Sequence, residues 1–133
     1  MKTIDIVTGI YAAFGKGDLP AILEHLDDKV DWEYGTAPND VPWLAPRSDK
    51  EGVAKFFQSI PQWLEPRAFD VLEVVGNERV VFVLARVEWL VKATGKTIRE
   101  EGEVHVWHFD SANKVVKFRH AADTFQHAQA ARL

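Results

Sequence analysis

The sequence contains no cysteine among its 133 residues. Disulfides, thiol nucleophiles, iron–sulfur clusters and thiolate zinc sites are therefore excluded. It also has no run of about 18 apolar residues, which a membrane-spanning helix needs, and Asp5 interrupts any apolar leader at its start. We therefore expect a cytoplasmic protein that does not enter a membrane.

Charge of one sign is not concentrated anywhere in the chain. The chain has twenty acidic and sixteen basic residues, for a net charge of −4, and the basic residues are scattered along the sequence. A nucleic-acid-binding protein would need a basic patch, so this partner is not expected. The chain also lacks a P-loop, a Gly-x-Ser-x-Gly elbow and a dinucleotide fingerprint, so we expect no nucleotide cofactor.

Histidines at metal-ligand spacing are also scarce. His105 and His108 are three residues apart in a predicted strand, where they point to opposite sides and do not chelate one ion. His25, His120 and His127 lie in contexts where an ordinary packed or solvent-exposed histidine is the usual explanation. We therefore predict neither a metal site nor a cofactor.

Apolar and aromatic residues are plentiful. The apolar fraction is 47%, including eight Phe, five Trp and two Tyr, which is typical of a chain that buries a core. At this length we expect one domain, residues 1–133, with a single core.

Three helices are predicted in the first half. The first has apolar residues at spacings of three and four and ends at the glycines of 15–17; its apolar residues are Ile4, Val7, Ile10, Tyr11 and Phe14. Asp18 is expected to cap the second helix. A capping box at 48–51 predicts the start of the third, and Pro61 is expected to stop it.

Strands dominate the second half. A first strand is predicted at 30–34, before a loop from Gly35 to Pro46, and four more follow at about 68–75, 79–92, 97–109 and 114–123. Their short turns indicate antiparallel neighbours. Two of the strands are so long that the sheet must bend. We therefore predict an α+β fold in which a strongly curved, mainly antiparallel sheet forms a cone-shaped cup covered by three helices, with a last short helix at 124–133.

Titratable and aromatic side chains alternate along the last two strands. One predicted face carries Glu101, Glu103, His105 and Trp107, and the corresponding face of the last strand carries Arg119 and Asp123. Such a mixture is costly in a core unless the polar groups are paired or line a cavity. We therefore predict a polar-lined pocket; the ordinary alternative is that Arg119 and Asp123 form an ion pair while Glu101 and Glu103 face water.

Several local phrases support a family resemblance that covers nearly the whole chain. They are residues 10–19 (IYAAFGKGDL), 26–32 (LDDKVDW), 104–110 (VHVWHFD) and 114–123 (KVVKFRHAAD). In these phrases and in its order of elements the chain resembles the SnoaL-like branch of the nuclear transport factor 2-like superfamily, which includes ketosteroid isomerase. The resemblance implies the cup-shaped fold but not one function, because the superfamily hosts isomerases, cyclases, hydrolases, dehydratases and proteins without catalysis.

The resemblance also implies site residues. It places Glu33 where ketosteroid isomerase keeps its general base, and His105 where that enzyme keeps the protonated Asp of its oxyanion hole. Asp123 matches an acid that acts in proton transfer in the SnoaL-like cyclases. The position of the oxyanion-hole tyrosine of ketosteroid isomerase corresponds to Ile10 in this chain. Tyr11, one residue away, is expected to face elsewhere. The missing tyrosine counts against steroid isomerase activity.

Three functions remain open. The first is an acid–base enzyme acting on a hydrophobic cyclic or carbonyl compound, with Glu33, His105, Asp123 and Arg119 as catalytic candidates. Aromatic residues are expected to line its pocket: Tyr11, Phe14, Trp32, Trp43, Phe56, Trp63, Trp89 and Trp107. The second is a ligand-binding module without turnover, and the third a structural dimer module. A homodimer is expected in each case, because Val104, Val106, Val116 and Phe118 are predicted to form an apolar outer face.

Overall fold

A computed structural model describes residues 2–34 and 40–132 of the chain, with Tyr34 described only in its backbone. The four helices of this part are α1 (Thr3–Lys16), α2 (Leu19–Leu23), α3 (Lys50–Trp63) and α4 (Thr124–Ala131), and a short 3-10 turn spans Pro42–Leu44. The five strands found there are β1 (Leu26–Tyr34), β2 (Leu64–Gly76), β3 (Val80–Val91), β4 (Thr97–Phe109) and β5 (Val115–Ala121). Part of the predicted loop, residues 35–39, lies outside the described residues.

Side-chain caps begin three of these helices. Asp18, Asp49 and Asp123 each accept a hydrogen bond from the backbone N–H three residues later. The cap of α3 is thus Asp49, one residue beyond the Ser48 that the capping-box pattern indicated. Pro61 does not stop α3, which continues to Trp63. So close to the end of a helix, the missing N–H bond and the contact of the proline ring with the carbonyl four residues earlier affect only the last turn.

One sheet with the order β1-β5-β4-β3-β2 is formed by the described strands. Strands β2 to β5 pair antiparallel, as the short turns indicated, whereas β1 runs parallel to β5. Helices α1 and α3 pack against the concave side, where their aromatic residues meet the inward face of the strands. The predicted α+β class with a curved, mainly antiparallel sheet is confirmed.

Bulges in the sheet change which side chains point inward. The register shifts in the β3–β4 pairing beyond Ala85 and Glu103, so Glu100 is buried while Glu101, predicted to lie on the inner face, is exposed. A second register shift, near Phe109 on β4, changes which side chains of β5 point inward. Phe118 and His120 point inward there, which reverses the predicted faces of this strand.

Two apolar clusters form the core of the part that the structure describes. The first lies between α1, α3 and the sheet and includes Trp32, Phe56 and Trp107. The second lies at the other end of the sheet and includes Trp43, Trp89 and Ala130 of α4. Among the described helices, none is long and apolar enough to span a membrane.

Candidate functional site

A cavity of about 80 Å³ lies inside the cup. Its wall is largely aromatic, and no lysine or arginine lines it among the described residues. Seven of the eight aromatic residues expected there do so, namely Tyr11, Phe14, Trp32, Trp43, Phe56, Trp89 and Trp107. The exception, Trp63, packs half-buried against the second core cluster. The polar residues of the wall are Tyr11, Glu103, His105, His120 and His127.

Tyr11 and His105 form the polar centre of this wall. The Tyr11 hydroxyl is hydrogen-bonded to Nδ1 of His105 and accepts a hydrogen bond of 3.1 Å from Nε1 of Trp107. Burial raises the pKa of Tyr11 far above its ordinary value, so the hydroxyl keeps its proton. Tyr11 therefore faces into the site, which agrees with its prediction as a pocket aromatic and contradicts the orientation that the family register implied, while Ile10 beside it lines the same cavity.

Glu103 connects two histidines. Its Oε1 atom lies 2.7 Å from Nε2 of His105 and is also paired with Nε2 of His120. Glu103 and His105 lie two residues apart on β4, and His105 and His120 are cross-strand partners on β4 and β5. Strand geometry therefore places all three side chains on one face.

The electrostatics of these groups follow from burial and hydrogen bonding. Burial alone would raise the pKa of Glu103, but its hydrogen bonds, first of all with His105, outweigh that effect and hold the pKa below its ordinary value. Burial also places the pKa of His120 well below its ordinary value, so this imidazole is neutral near pH 7. Glu103 is thus a buried carboxylate surrounded by imidazoles.

A second branch joins the same cluster from α4. Trp43 Nε1 donates to Nδ1 of His127 at 2.8 Å, and Nε2 of His127 lies 2.9 Å from Oε2 of Glu100. The other oxygen of Glu100 accepts the backbone N–H of Asp123 at 2.5 Å. Burial raises the pKa of Glu100, a shift that the hydrogen bond with His127 opposes.

The indole N–H groups of the two tryptophans determine which neighbouring atoms accept hydrogen bonds. An indole N–H donates and cannot accept, so Nδ1 of His127 must be the acceptor from Trp43. The proton of neutral His127 therefore resides on Nε2 and is donated to Glu100. On the other branch, Trp107 occupies one lone pair of the Tyr11 oxygen, which leaves that hydroxyl free either to donate to His105 or to accept from it.

The predicted catalytic residues do not meet in one cavity. Glu33 and Arg119 form an ion pair at 3.7 Å, and Arg119 also binds Asp31 at 2.9 Å. These groups are partly exposed on the opposite, outer face of the sheet, because Trp32 and Phe118, their neighbours in sequence, point inward. Asp123 is an exposed residue that caps α4. Of the four candidates, only His105 lines the cavity.

Sequence reasoning missed Glu103, His120, Glu100 and His127 as a connected group. The Glu103-x-His105 spacing was visible, but His120 joins it only through the β4–β5 register, which a bulge displaces. Glu100 lies beyond another register shift. His127 becomes a neighbour only when α4 folds back onto the sheet. Besides that spacing, the sequence offered one signal, a histidine in the short helix predicted after the last strand.

Comparison with known proteins agrees with this architecture. The family model of the SnoaL-like domain matches residues 7–118. An NTF2-like protein from Burkholderia xenovorans is 23% identical, with a TM-score of 0.85 over 98% of this chain and 95% of that one. One from Burkholderia thailandensis is 21% identical, with a TM-score of 0.86 over 100% and 99%. TerC, crystallised with polyporic acid, is 20% identical, with a TM-score of 0.80 over 96% of each chain.

The chain therefore belongs to the SnoaL-like domain family. A search of the curated proteins found no match. The structural neighbours establish the fold, and the chemistry has to be argued from this chain's own cavity.

Proposed function

We propose that the protein is an acid–base enzyme whose cavity binds a small, hydrophobic cyclic or carbonyl compound. The observation that carries this proposal is the Tyr11–His105 hydrogen bond in the wall of an otherwise aromatic cavity. An apolar pocket with a few convergent polar groups is the usual form of a small-molecule site. The crystallisation of the neighbour TerC with an organic compound is consistent with such a use of this fold.

Tyr11 and His105 provide the route for a proton. A ligand oxygen that accepts from the Tyr11 hydroxyl is one hydrogen bond away from Nδ1 of His105, so a proton can pass among these three groups. Glu103, on the opposite side of the imidazole, stabilises the positive charge that develops when His105 accepts the proton. The Tyr11 hydroxyl in turn stabilises negative charge on an enolate-like oxygen.

The cavity also restricts the ligand. Because no cationic side chain lines it among the described residues, a ligand carboxylate or phosphate would find no counter-charge there. The cavity volume of about 80 Å³ accommodates a compact molecule. A larger ligand could bind only if the aromatic side chains of the wall changed their rotamers. We therefore expect a neutral, compact ligand that carries one oxygen acceptor.

The test combines binding with turnover. Binding of cyclic ketones, epoxides and polyketide-like compounds is followed by the fluorescence of the cavity tryptophans, and turnover by product analysis. For a substrate found this way, we expect His105→Gln to lower kcat by about 100-fold or more, the usual contribution of a general acid or base, without unfolding the protein. His108→Gln, on the same strand but the opposite face, is the matched control and is expected to retain wild-type kcat.

Two results would contradict the proposal. Saturable binding without turnover of any compound would favour the non-catalytic ligand-binding module. Equal kcat values for wild type and His105→Gln would show that the reaction does not pass through this imidazole.

A further inference from the structure

Glu103, His105 and His120 place three potential metal ligands on one patch of the cavity wall. One carboxylate oxygen and one nitrogen of each imidazole lie within 4.8 Å of one another, and all three residues are buried. Glu103 and His105 share a strand face, and His120 is the cross-strand partner of His105. Two adjacent strands thus present two imidazoles and one carboxylate on the same side, with the cavity in front of them.

We infer that this triad, Glu103, His105 and His120, binds a divalent transition-metal ion such as Zn²⁺, with at least one coordination position open to the cavity. The binding of the ion depends only on these donors, whereas any part it plays in chemistry rests on the proposed function. Two histidines and one carboxylate form a common donor set for catalytic zinc and for non-haem iron. Both kinds of site keep positions open for water or substrate.

The distances require only a small adjustment. Ligand atoms bonded to a tetrahedral Zn²⁺ at about 2.0–2.1 Å lie about 3.4 Å apart. In the present arrangement Glu103 Oε1 and His105 Nε2 are 2.7 Å apart, so small side-chain rotations that separate the donors make room for the ion. Both imidazoles direct Nε2 at the same carboxylate oxygen, which is the convergence that a shared ion needs.

A second observation supports this site. The Oε2 atom of Glu103 is buried, on a side chain that is 4% exposed, and accepts no hydrogen bond from an N–H or hydroxyl group of the described residues. An unsatisfied buried carboxylate oxygen is costly, and a metal ion bound by this carboxylate would compensate for it. The competing explanation is a hydrogen bond between the carboxyl groups of Glu103 and Glu100, which would share one proton, and binding of metal ions separates the two explanations.

The surroundings of His105 suit a metal ligand. A ligating histidine usually donates its other ring N–H to a neighbouring acceptor. With Nε2 on the ion, Nδ1 of His105 carries the proton and donates it to the Tyr11 oxygen, whose second lone pair accepts from Trp107. The Tyr11 hydroxyl then directs its own proton towards the cavity, where a ligand oxygen can accept it. His105 accepts no further proton in this state, so the proton route through His105 proposed above belongs to the ion-free protein.

The second group of potential ligands, Glu100, Glu103 and His127, does not fit an ion in the same way. Nδ1 of His127 accepts a hydrogen bond from Trp43, so the proton of the neutral ring resides on Nε2, the atom directed at Glu100. To bind a metal through Nε2, His127 would have to lose that proton and become an imidazolate. We therefore assign the ion to the first triad.

The test uses the metal ions alone. Protein treated with a chelator and then freed of it is titrated with Co²⁺, followed by visible absorption, and with Zn²⁺, followed by calorimetry. We expect one ion per chain and a Co²⁺ spectrum that shows nitrogen and oxygen ligands. We expect His120→Gln and Glu103→Gln each to weaken binding at least about 100-fold, since changes in partners outside the ligand set already cost about 10–100-fold.

Two control variants and a stability measurement make the result decisive. His108→Gln on the outer face is expected to bind Zn²⁺ within a few-fold of wild type. His127→Gln, which changes only the Glu100 branch, is expected to weaken binding less than the triad variants do. Zn²⁺ is also expected to raise the Tm of the wild type but not of His120→Gln. If His120→Gln does not fold, the Co²⁺ spectrum and Zn²⁺-dependent Tm of the wild type and of His105→Gln decide the question.

Three outcomes would overturn the inference: no saturable binding of either ion, binding that the triad variants leave intact, or binding that His108→Gln removes. The first would indicate that a proton shared with Glu100 satisfies the carboxylate. None of these outcomes bears on turnover, which is measured separately with chelator-treated and ion-loaded protein, so the proposed function and the metal site can fail independently.

Discussion

The Tyr11 hydroxyl lies between two nitrogen atoms, Trp107 Nε1 and His105 Nδ1. Among the described residues, it is the only hydrogen-bonded link between the indole of Trp107 and the imidazole of His105. Its removal leaves a buried N–H and a buried ring nitrogen without this partner, and each such group carries a desolvation cost.

We expect Tyr11→Phe to lower the free energy of unfolding by about 1–3 kcal/mol, because the aromatic packing is kept while the hydroxyl is lost. Urea denaturation measures the change. Thr8→Ala, which removes an exposed hydroxyl from the same helix, is the control and is expected to shift stability by less than about 0.5 kcal/mol. A Tyr11→Phe variant as stable as wild type would show that the network does not depend on this hydroxyl.

Asp31 gives a second prediction, which concerns pH. Its hydrogen bond with Arg119 lowers the pKa of the Asp31 carboxyl. A carboxyl whose folded-state pKa lies below its unfolded value stabilises the fold above the unfolded pKa of about 3.9, and loses this contribution as pH falls through the folded pKa. Since the Asp31 side chain is half exposed, the contribution is at most about 1 kcal/mol.

The comparison of wild type with Asp31→Asn tests this. We expect wild type to be the more stable near pH 6 and the difference in urea midpoint to shrink towards pH 3, roughly the range over which an aspartate titrates. High salt is expected to shrink the difference at every pH, because it screens the ion pair. A difference that grows on acidification would contradict the assignment.

Individual site residues show where sequence reasoning works. His105 was predictable because alternation along β4 and the family resemblance both placed it inside. The outward position of Glu33 was not predictable, because either Glu33 or Trp32 could have occupied the inner face of β1. Aromatic residues of α3 pack against Trp32, and burying an indole is favoured over burying a charge. Asp123 follows the last strand and begins a helix, so a cap was the competing role.

At the scale of elements, the course of the chain was predictable and the register was not. Apolar periodicity located α1, α3 and the long strands to within a few residues. Bulges in β4 and β5 are not encoded by a local pattern, yet one extra residue moves every later side chain to the other face. The parallel pairing of β1 with β5 likewise depends on a contact between distant parts of the chain.

The hairpin between β2 and β3 provides a prediction at this scale. A Cβ atom at Gly76 would meet the carbonyl oxygen of Val80 and lie 2.7 Å from Cα of Val81, so the two backbones approach too closely for a side chain. Backbone atoms cannot move aside as a flexible side chain can. We expect Gly76→Ala to destabilise the protein by about 1–3 kcal/mol, in the range of overpacking.

Gly9→Ala is the matched control. Nothing lies within 4 Å of a Cβ atom at Gly9, which is an exposed position inside α1. This substitution is expected to stabilise the protein by about 0.5–1 kcal/mol, the helix preference of alanine over glycine. Thermal melts of both variants measure the two effects, and equal changes in Tm would contradict the close approach at the hairpin.

At the scale of the whole molecule, the two faces of the sheet differ in character. The concave face carries the cavity and its buried polar network. The outer face carries a row of register partners that runs from Val75 and Phe82 through Val106 to the ion pair of Arg119 and Glu33. Phe118, expected in this outer patch, points inward, whereas Phe82 is 46% exposed on it.

This outer row leads to the last prediction, a homodimer that buries the sheet faces of two copies. If a two-fold axis passes through the apolar part of this row, the apolar residues of one copy pack against those of the other. The charged end of each row then lies at the rim of the interface. This arrangement has the self-complementary form that a two-fold interface requires. We expect light scattering at micromolar concentration to give about twice the chain mass of 15.1 kDa. Phe82→Lys is expected to give a monomer, because it buries two unpaired charges at the centre of the interface. Phe125→Lys, at a side chain 73% exposed on α4 and outside the sheet, is expected to remain a dimer. A monomeric wild type, or loss of the dimer in both variants, would show that this face does not join two copies.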